Sequence, residues 1–141
     1  MKKGIIILFS EDEKLIDKHQ LARIFNQKEV MLCYVNNGSK DATFEVLESV
    51  KEELEIKTAC IIDIKKKIPT RAAVKAASRY LKSLGGINCI LYFKSNKLSF
   101  FEDKKVQIET IKKINNHLKC NLHHSKNNLK YTFSYKDILS F

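Results

Sequence analysis

Four runs of apolar residues constrain the fold of this chain more than any other feature of its sequence. They cover residues 3–9, 30–35, 57–64 and 87–93, and most positions within them hold Ile, Leu, Val, Phe, Tyr or Cys. A strand that is apolar at successive positions is buried on both faces, which is typical of a parallel sheet covered by helices. The runs therefore predict four strands of one mainly parallel sheet.

Segments with helical spacing separate these strands. The first covers residues 11–27. The second begins after Asp41, whose carboxylate is placed to accept hydrogen bonds from the first free amide groups. The third covers residues 70–84, with Thr70 as its N-cap and Gly85-Gly86 as its stop signal. Alternation of strands and helices predicts an α/β, Rossmann-like fold.

Four polar loops follow the carboxyl ends of the predicted strands. In a parallel α/β sheet these ends lie on one rim, where ligands bind. The second loop, NNGSKD, also leads into a capped helix, and a helix N-terminus suits an anion or a nucleotide. The sequence therefore predicts a binding site built from residues 10–13, 36–41, 65–70 and 94–97.

The last part of the chain has a weaker pattern. A short strand is predicted over residues 98–101, a helix over 104–118 and an edge strand over 129–135. An exposed edge strand can pair with its copy in a second molecule, so a homodimer is one expectation. No Gly/Ser linker separates this part, and we therefore expect a single domain over residues 1–141, with nucleotide-binding-like units in 1–97 and a short helix and strand in 98–141.

Charge makes a polyanion an alternative partner. The chain has 26 Lys and Arg residues against 16 Asp and Glu, giving a net charge of +10. Only three of the basic residues are arginines, whereas sites that recognise phosphates favour the guanidinium group. The lysines at 65–67 and the alternating aromatic residues of 131–135 are the segments that such a partner would contact.

Cysteine usage and hydropathy indicate the compartment. Cys33, Cys60, Cys89 and Cys120 form no C-x-x-C pair, so we expect reduced thiols rather than a zinc site. No apolar run approaches the length of a membrane span. We therefore predict a cytoplasmic protein without a transmembrane segment.

Two motifs resemble a known family. Residues 35–43 read VNNGSKDAT and are followed by Glu45-Val46-Leu47, beside the pattern VNDGSxDxT and an EVL-type helix in family 2 glycosyltransferases of the GT-A fold. Residues 63–77 read DIKKKIPTRAAVKAA, beside DLKKNxGKAxAVRxG. From Ile5 to about Asn96 the chain resembles the amino-terminal, nucleotide-binding half of these enzymes. The resemblance implies a GT-A type sheet and a site for a nucleotide sugar.

Departures from the family pattern bear on activity. The first-strand motif IPxYNE appears as ILFSED, and the aspartate that contacts the uracil ring is replaced by Asn37, whose amide oxygen can still accept that bond. In the third loop Lys67, Pro69 and Thr70 replace asparagine, glycine and a basic residue. Because proline fixes φ, this loop is expected to have a different shape.

The family's metal-binding Asp-x-Asp is replaced by Lys94-Ser95-Asn96. Hard divalent cations prefer carboxylate oxygens, so no metal cofactor is expected. The family's acceptor half, with its catalytic carboxylate, is also expected to be absent, because only forty-five residues follow Asn96.

These observations predict a non-catalytic relative that retains a scaffold for a nucleotide or nucleotide sugar. The alternatives are a metal-independent or partner-completed glycosyltransferase, and a lysine-rich nucleic-acid or polyanion-binding module. No residue stands out as catalytic. The candidate nucleotide-binding residues are Phe9, Ser10, Glu11, Asn36, Asn37, Gly38, Ser39, Asp41, Lys67, Arg71, Lys94 and Asn96.

Overall fold

The strands form one parallel sheet. The computed structural model describes residues 2–11, 16–54, 59–122 and 132–134. The strands are β1 (Lys2–Phe9), β2 (Val30–Asn37), β3 (Ala59–Ile64), β4 (Ile87–Lys94) and β5 (Thr132–Ser134). Every strand pair is parallel, and the order across the sheet is β3-β2-β1-β4-β5. This confirms the predicted α/β class and the mainly parallel sheet of a Rossmann-like fold.

Helices cover both faces of this sheet. They are α1 (Lys18–Arg23), α2 (Thr43–Glu53), α3 (Thr70–Ser83) and α4 (Lys104–Leu122). Apolar residues of α1, α2 and α4 pack with the odd-numbered residues of β1, whereas those of α3 pack with Ile6 and Leu8 on the opposite face. Successive residues of a strand point to opposite faces, so continuous apolar strands fill both cores.

The prediction of a strand over residues 98–101 is wrong. Two short 3-10 helices, Ser95–Lys97 and Phe100–Glu102, occupy this region. Leu98 and Phe101 are both buried in the core with α1 and α4. Their spacing of three residues matches one turn of a 3-10 helix, which places both side chains on the same side.

The first helix is much shorter than predicted. Of the predicted residues 11–27, only Lys18–Arg23 is helical, and residues 12–15 lie outside the described part of the chain. Asp17 fixes the start, because its carboxylate accepts hydrogen bonds from the amides of His19 and Gln20. At the other end Phe25 has a φ of 48°, which a right-handed helix excludes.

The predicted ends of the second and third helices agree with the structure in part. The carboxylate of Asp41 accepts a hydrogen bond from the Thr43 amide at 3.0 Å, so it bonds one free amide as predicted, although the N-cap position itself is Ala42. Thr70 is not an N-cap: α3 begins at Thr70, and Pro69 precedes it without a side-chain hydrogen bond. Proline suits this position because its φ is already close to the helical value. Gly85 and Gly86, both with positive φ, end α3 as predicted.

Toward the C-terminus the structure covers part of the predictions. The helix predicted over 104–118 extends to Leu122. The edge strand predicted over 129–135 is present as β5 at one edge of the sheet, and its other residues lie outside the described part. Among the helices that the structure describes, none combines the length and the hydropathy needed to cross a membrane.

Candidate functional site

The predicted loops meet around a cleft at the carboxyl ends of the strands. The cleft has a volume of about 230 Å³ and opens between the ends of β1 and β4. These strands are neighbours in the sheet, although β2 and β3 lie between them in sequence. The cleft therefore lies at the switch point of the sheet, where α/β proteins bind their ligands. Its lining residues are Leu8, Phe9, Ser10, Asn37, Lys67, Thr70, Lys94, Ser95 and Asn96.

Asn37 joins two walls of this cleft. Its side chain is 5% exposed. Its Nδ2 donates to the Ile68 carbonyl at 2.9 Å, and its Oδ1 accepts from the Ile68 amide at 3.1 Å. Because both bonds go to the backbone, Asn37 fixes the loop between β3 and α3 in place. An amide oxygen has two lone pairs, and the Ile68 amide uses one of them.

Gly38 lets the same two loops approach closely. It has a φ of 65°, and its amide donates to the Ile64 carbonyl at 2.8 Å. A Cβ atom at this position would lie 2.1 Å from the Lys67 nitrogen. The asparagine-glycine turn that follows β2 is therefore a docking point for the β3–α3 loop, and only glycine fits there.

A hydrogen-bond network holds the asparagine-glycine turn after β2 in place. Asn36 donates from Nδ2 to the Asp63 carboxylate at 2.9 Å and accepts from the Ser39 hydroxyl. The Ser39 hydroxyl also accepts from the Glu11 amide at 2.9 Å, and the Glu11 carboxylate accepts from the Lys40 amide at 2.7 Å. These residues use their polar atoms to hold the loops of β1, β2 and β3 together.

Asp63 is the ionised member of this network. Burial acts to raise its pKa, but hydrogen bonds from Lys65 and Asn36, together with the charge of Lys65, outweigh that effect and hold the pKa below its usual value. The Asp63 side chain is 15% exposed, whereas that of Lys65 is 85% exposed. A carboxylate in this setting stays charged at neutral pH and anchors the Asn36 amide.

The electrostatics of the cleft favour an anion. Lys67 and Lys94 line it, and among the described residues that line it none carries a carboxylate. Thr70, the first residue of α3, also lines it, and the first turn of that helix holds no acidic residue. Lysine ammonium groups and a helix N-terminus both attract negative charge. These donors do not fit a divalent cation, which prefers carboxylate oxygens, because the end of β4 presents Lys94, Ser95 and Asn96 to the cleft.

The structure brings half of the candidate residues together. Phe9, Ser10, Asn37, Lys67, Lys94 and Asn96 line the cleft. Glu11, Asn36, Gly38 and Ser39 support it, Asp41 caps α2, and Arg71 is exposed on α3.

Three lining residues were missed by the sequence reasoning: Leu8, Thr70 and Ser95. Thr70 and Ser95 are polar residues of the predicted rim loops, and their place in these loops is the sequence signal that could have identified them. A second cleft of about 190 Å³ lies alongside and shares Phe9, Ser95 and Asn96 with the first.

Comparisons with known proteins add no family assignment. No family model matches this chain, and no curated protein is significantly similar to it. The resemblance to glycosyltransferases therefore stays a prediction, and the chemistry of the cleft is the basis for a functional proposal.

Proposed function

We propose that the cleft binds the phosphate-bearing part of a nucleotide or nucleotide sugar without a metal ion. The protein would then be a non-catalytic relative of the family 2 glycosyltransferases. The observation that carries this proposal is the position of Lys67 and Lys94 in a cleft at the switch point of the sheet, where no residue of the described lining carries a carboxylate.

The lining residues divide into two groups by chemistry. Lys94 and Lys67 would form charge-assisted hydrogen bonds with phosphate oxygens, which are stronger than bonds between neutral groups. Asn37 and Asn96 offer amide groups for a base or a ribose. Ligand pockets usually have volumes of about 300–1,000 Å³, so the cleft of about 230 Å³ would enclose part of a nucleotide sugar and leave the rest on the surface.

Binding without sugar transfer is the simpler proposal. Activation of an acceptor hydroxyl requires a general base near the donor site. Within the described part of the chain, the lining of the cleft offers amides, hydroxyls and ammonium groups, and no histidine or carboxylate. A transferase would need a general base that these lining residues do not supply.

Thermal unfolding with a panel of ligands tests the proposal. UDP, UDP-sugars, GDP-sugars and TDP-sugars are each added with EDTA or with Mn²⁺, and uridine serves as the control without phosphate. A ligand at a hundred times its Kd stabilises by about 2.7 kcal/mol, which raises the melting temperature by roughly 8 °C for a chain of this size. We expect this shift in EDTA for at least one phosphate-bearing ligand. A shift that appears only with Mn²⁺, or no shift with any member of the panel, would contradict the proposal.

A further inference from the structure

The segment from Lys65 to Ser83 is basic without interruption by acidic residues. It contains Lys65, Lys66, Lys67, Arg71, Lys75, Arg79 and Lys82, and no Asp or Glu. Two of the three arginines of the chain are among them. The charge of the molecule is therefore concentrated here more than the composition of the whole chain suggests.

The helical part of this segment presents its charge to solvent. Arg71, Lys75, Arg79 and Lys82 are all exposed, and we refer to these four residues as the basic face of α3. The first three are four residues apart, so their Cα atoms follow each other at about 6 Å along the helix, and the whole face is about 16 Å long. No carboxylate in the described part of the chain forms an ion pair with any of the four.

The opposite side of the sheet has the reverse charge at α2. That helix carries Glu45, Glu48, Glu52 and Glu53 against a single lysine, Lys51. Because α2 and α3 lie on different faces of the sheet, their charges do not neutralise each other locally. Of these two helices, a polyanion would be attracted to α3 and repelled by α2.

We propose that the basic face of α3 binds the phosphodiester backbone of a nucleic acid. A row of cations at regular spacing matches a ligand with a row of negative charges, and a length of about 16 Å faces about five phosphates of one strand in a duplex. This surface is separate from the nucleotide cleft, so it goes beyond the function proposed above.

A membrane surface fits the same helix less well. Helices that bind membranes insert an apolar face between lipid headgroups. The apolar face of α3, with Ala73, Val74, Ala77 and Leu81, is buried against the sheet. Beside the cations its exposed residues are Ala72, Ala76 and Tyr80, and one aromatic ring with two alanines is too small an apolar surface to anchor a helix in lipid. The basic face of α3 is therefore mainly a row of positive charges.

Neutralisation of the basic face tests the proposal. In the triple variant Lys75→Gln, Arg79→Gln, Lys82→Gln, glutamine retains good helix propensity, and Arg71 is left in place because it lies next to the cleft. The control is Lys104→Gln, Lys105→Gln, Lys112→Gln, which removes the same charge from exposed positions of α4. Binding of a labelled 20-nucleotide single strand and of its duplex is measured by fluorescence anisotropy between 50 and 200 mM salt, and circular dichroism checks that both variants fold.

We expect the α3 variant to bind at least tenfold more weakly at 50 mM salt. The slope of log K against log salt should also become shallower, by about 2 for the single strand and about 3 for the duplex, because three phosphate contacts are lost. The α4 control should change affinity less than twofold. Equal weakening in both variants, or no binding by the unmodified protein, would overturn the proposal.

Vesicles containing phosphatidylserine form the last arm of the test. Binding to vesicles but not to either oligonucleotide would also overturn the proposal. The nucleotide panel reads out the cleft separately, since none of the substituted residues lines it.

Discussion

Two buried side-chain amides, those of Asn37 and Gln107, tie distant segments together in different regions of the molecule. Gln107 is 4% exposed and lies on α4. Its Oε1 accepts from the Phe25 amide at 2.9 Å, and its Nε2 donates to the Arg23 carbonyl at 3.0 Å and the Phe101 carbonyl at 2.6 Å. Asn37 is 5% exposed and bonds twice to the backbone of Ile68.

The two amides differ in whether they are enclosed by protein or border a cleft. Gln107 uses both donors of its amide, and its bonds are enclosed between α1, α4 and the 3-10 helix Phe100–Glu102. Asn37 borders a cleft, and its Nδ2 donates one hydrogen bond among the described residues where Nε2 of Gln107 donates two. A buried amide in a closed region stabilises the fold, whereas one at an open rim also shapes a site. Four substitutions test this comparison.

The largest effect is expected for Gln107→Leu. The change leaves the Phe25 amide and the Arg23 and Phe101 carbonyls without their partner. Each unsatisfied buried group costs about 1–3 kcal/mol, so we expect urea unfolding to show a loss of about 4 kcal/mol. Nucleotide affinity should not change. Glu109→Gln, an exposed change on the same helix, is the control, and a loss below about 1 kcal/mol for Gln107→Leu would refute this role.

The second-largest loss of stability is expected for Gly38→Ala, with Gly85→Ala as a matched control. Both glycines have positive φ, but a Cβ atom at Gly38 meets the Lys67 backbone, whereas one at Gly85 has nothing within 4 Å. Backbone strain alone costs about 1 kcal/mol, and we expect about 3 kcal/mol at Gly38 because the loop must also move. Only the Gly38 variant should lose nucleotide affinity. Equal losses in urea unfolding would show that the contact with Lys67 is unimportant.

Asp63 supplies a pH-dependent test of the network behind the rim. Its pKa is held below the usual value, so its stabilising contribution is present above the unfolded pKa of about 3.9 and is lost as pH falls through the folded value. We expect Asp63→Asn to be about 1 kcal/mol less stable than the unmodified protein at pH 7. The gap should close below pH 4 in unfolding experiments, and a constant gap between pH 7 and 3 would contradict the assignment.

The smallest effect, with the opposite sign, is expected for Tyr34→Phe. Tyr34 is fully buried, and its hydroxyl has no hydrogen-bond partner among the described residues. Burial raises the pKa of Tyr34 to about 12. Removal of an unsatisfied hydroxyl should leave stability unchanged or raise it by up to about 1 kcal/mol, in contrast to Gln107. Calorimetric unfolding showing a clear loss would mean that this hydroxyl has a partner.

The sequence was most informative where structure depends on local patterns. The first four strands, the second and third helices and the rim loops follow from apolar runs, capping and glycine stops. The 3-10 helices around Leu98 did not, because apolar residues three apart were read as a strand. Gln107 gave no local signal, since two of its partners are more than eighty residues away.

The candidate site was half predictable for a geometric reason. Asn36 and Asn37 are adjacent in β2, and successive residues of a strand point to opposite faces. Asn37 therefore faces the cleft on the α3 side, whereas Asn36 reaches Asp63 on the other. The sequence places both residues at the rim but cannot separate their roles until the pairing of β2 with β3 is known. The basic face of α3 was not predicted, although the four-residue spacing of Arg71, Lys75 and Arg79 on a predicted helix is a signal for it.

Titration calorimetry of UDP in EDTA is the most direct test of the central claim, that lysine side chains at the rim bind phosphate without a metal. The unmodified protein should bind, Lys94→Gln should bind at least tenfold more weakly, and Lys104→Gln should match the unmodified protein. Binding that requires Mn²⁺, or that is the same after Lys94→Gln, would contradict the claim.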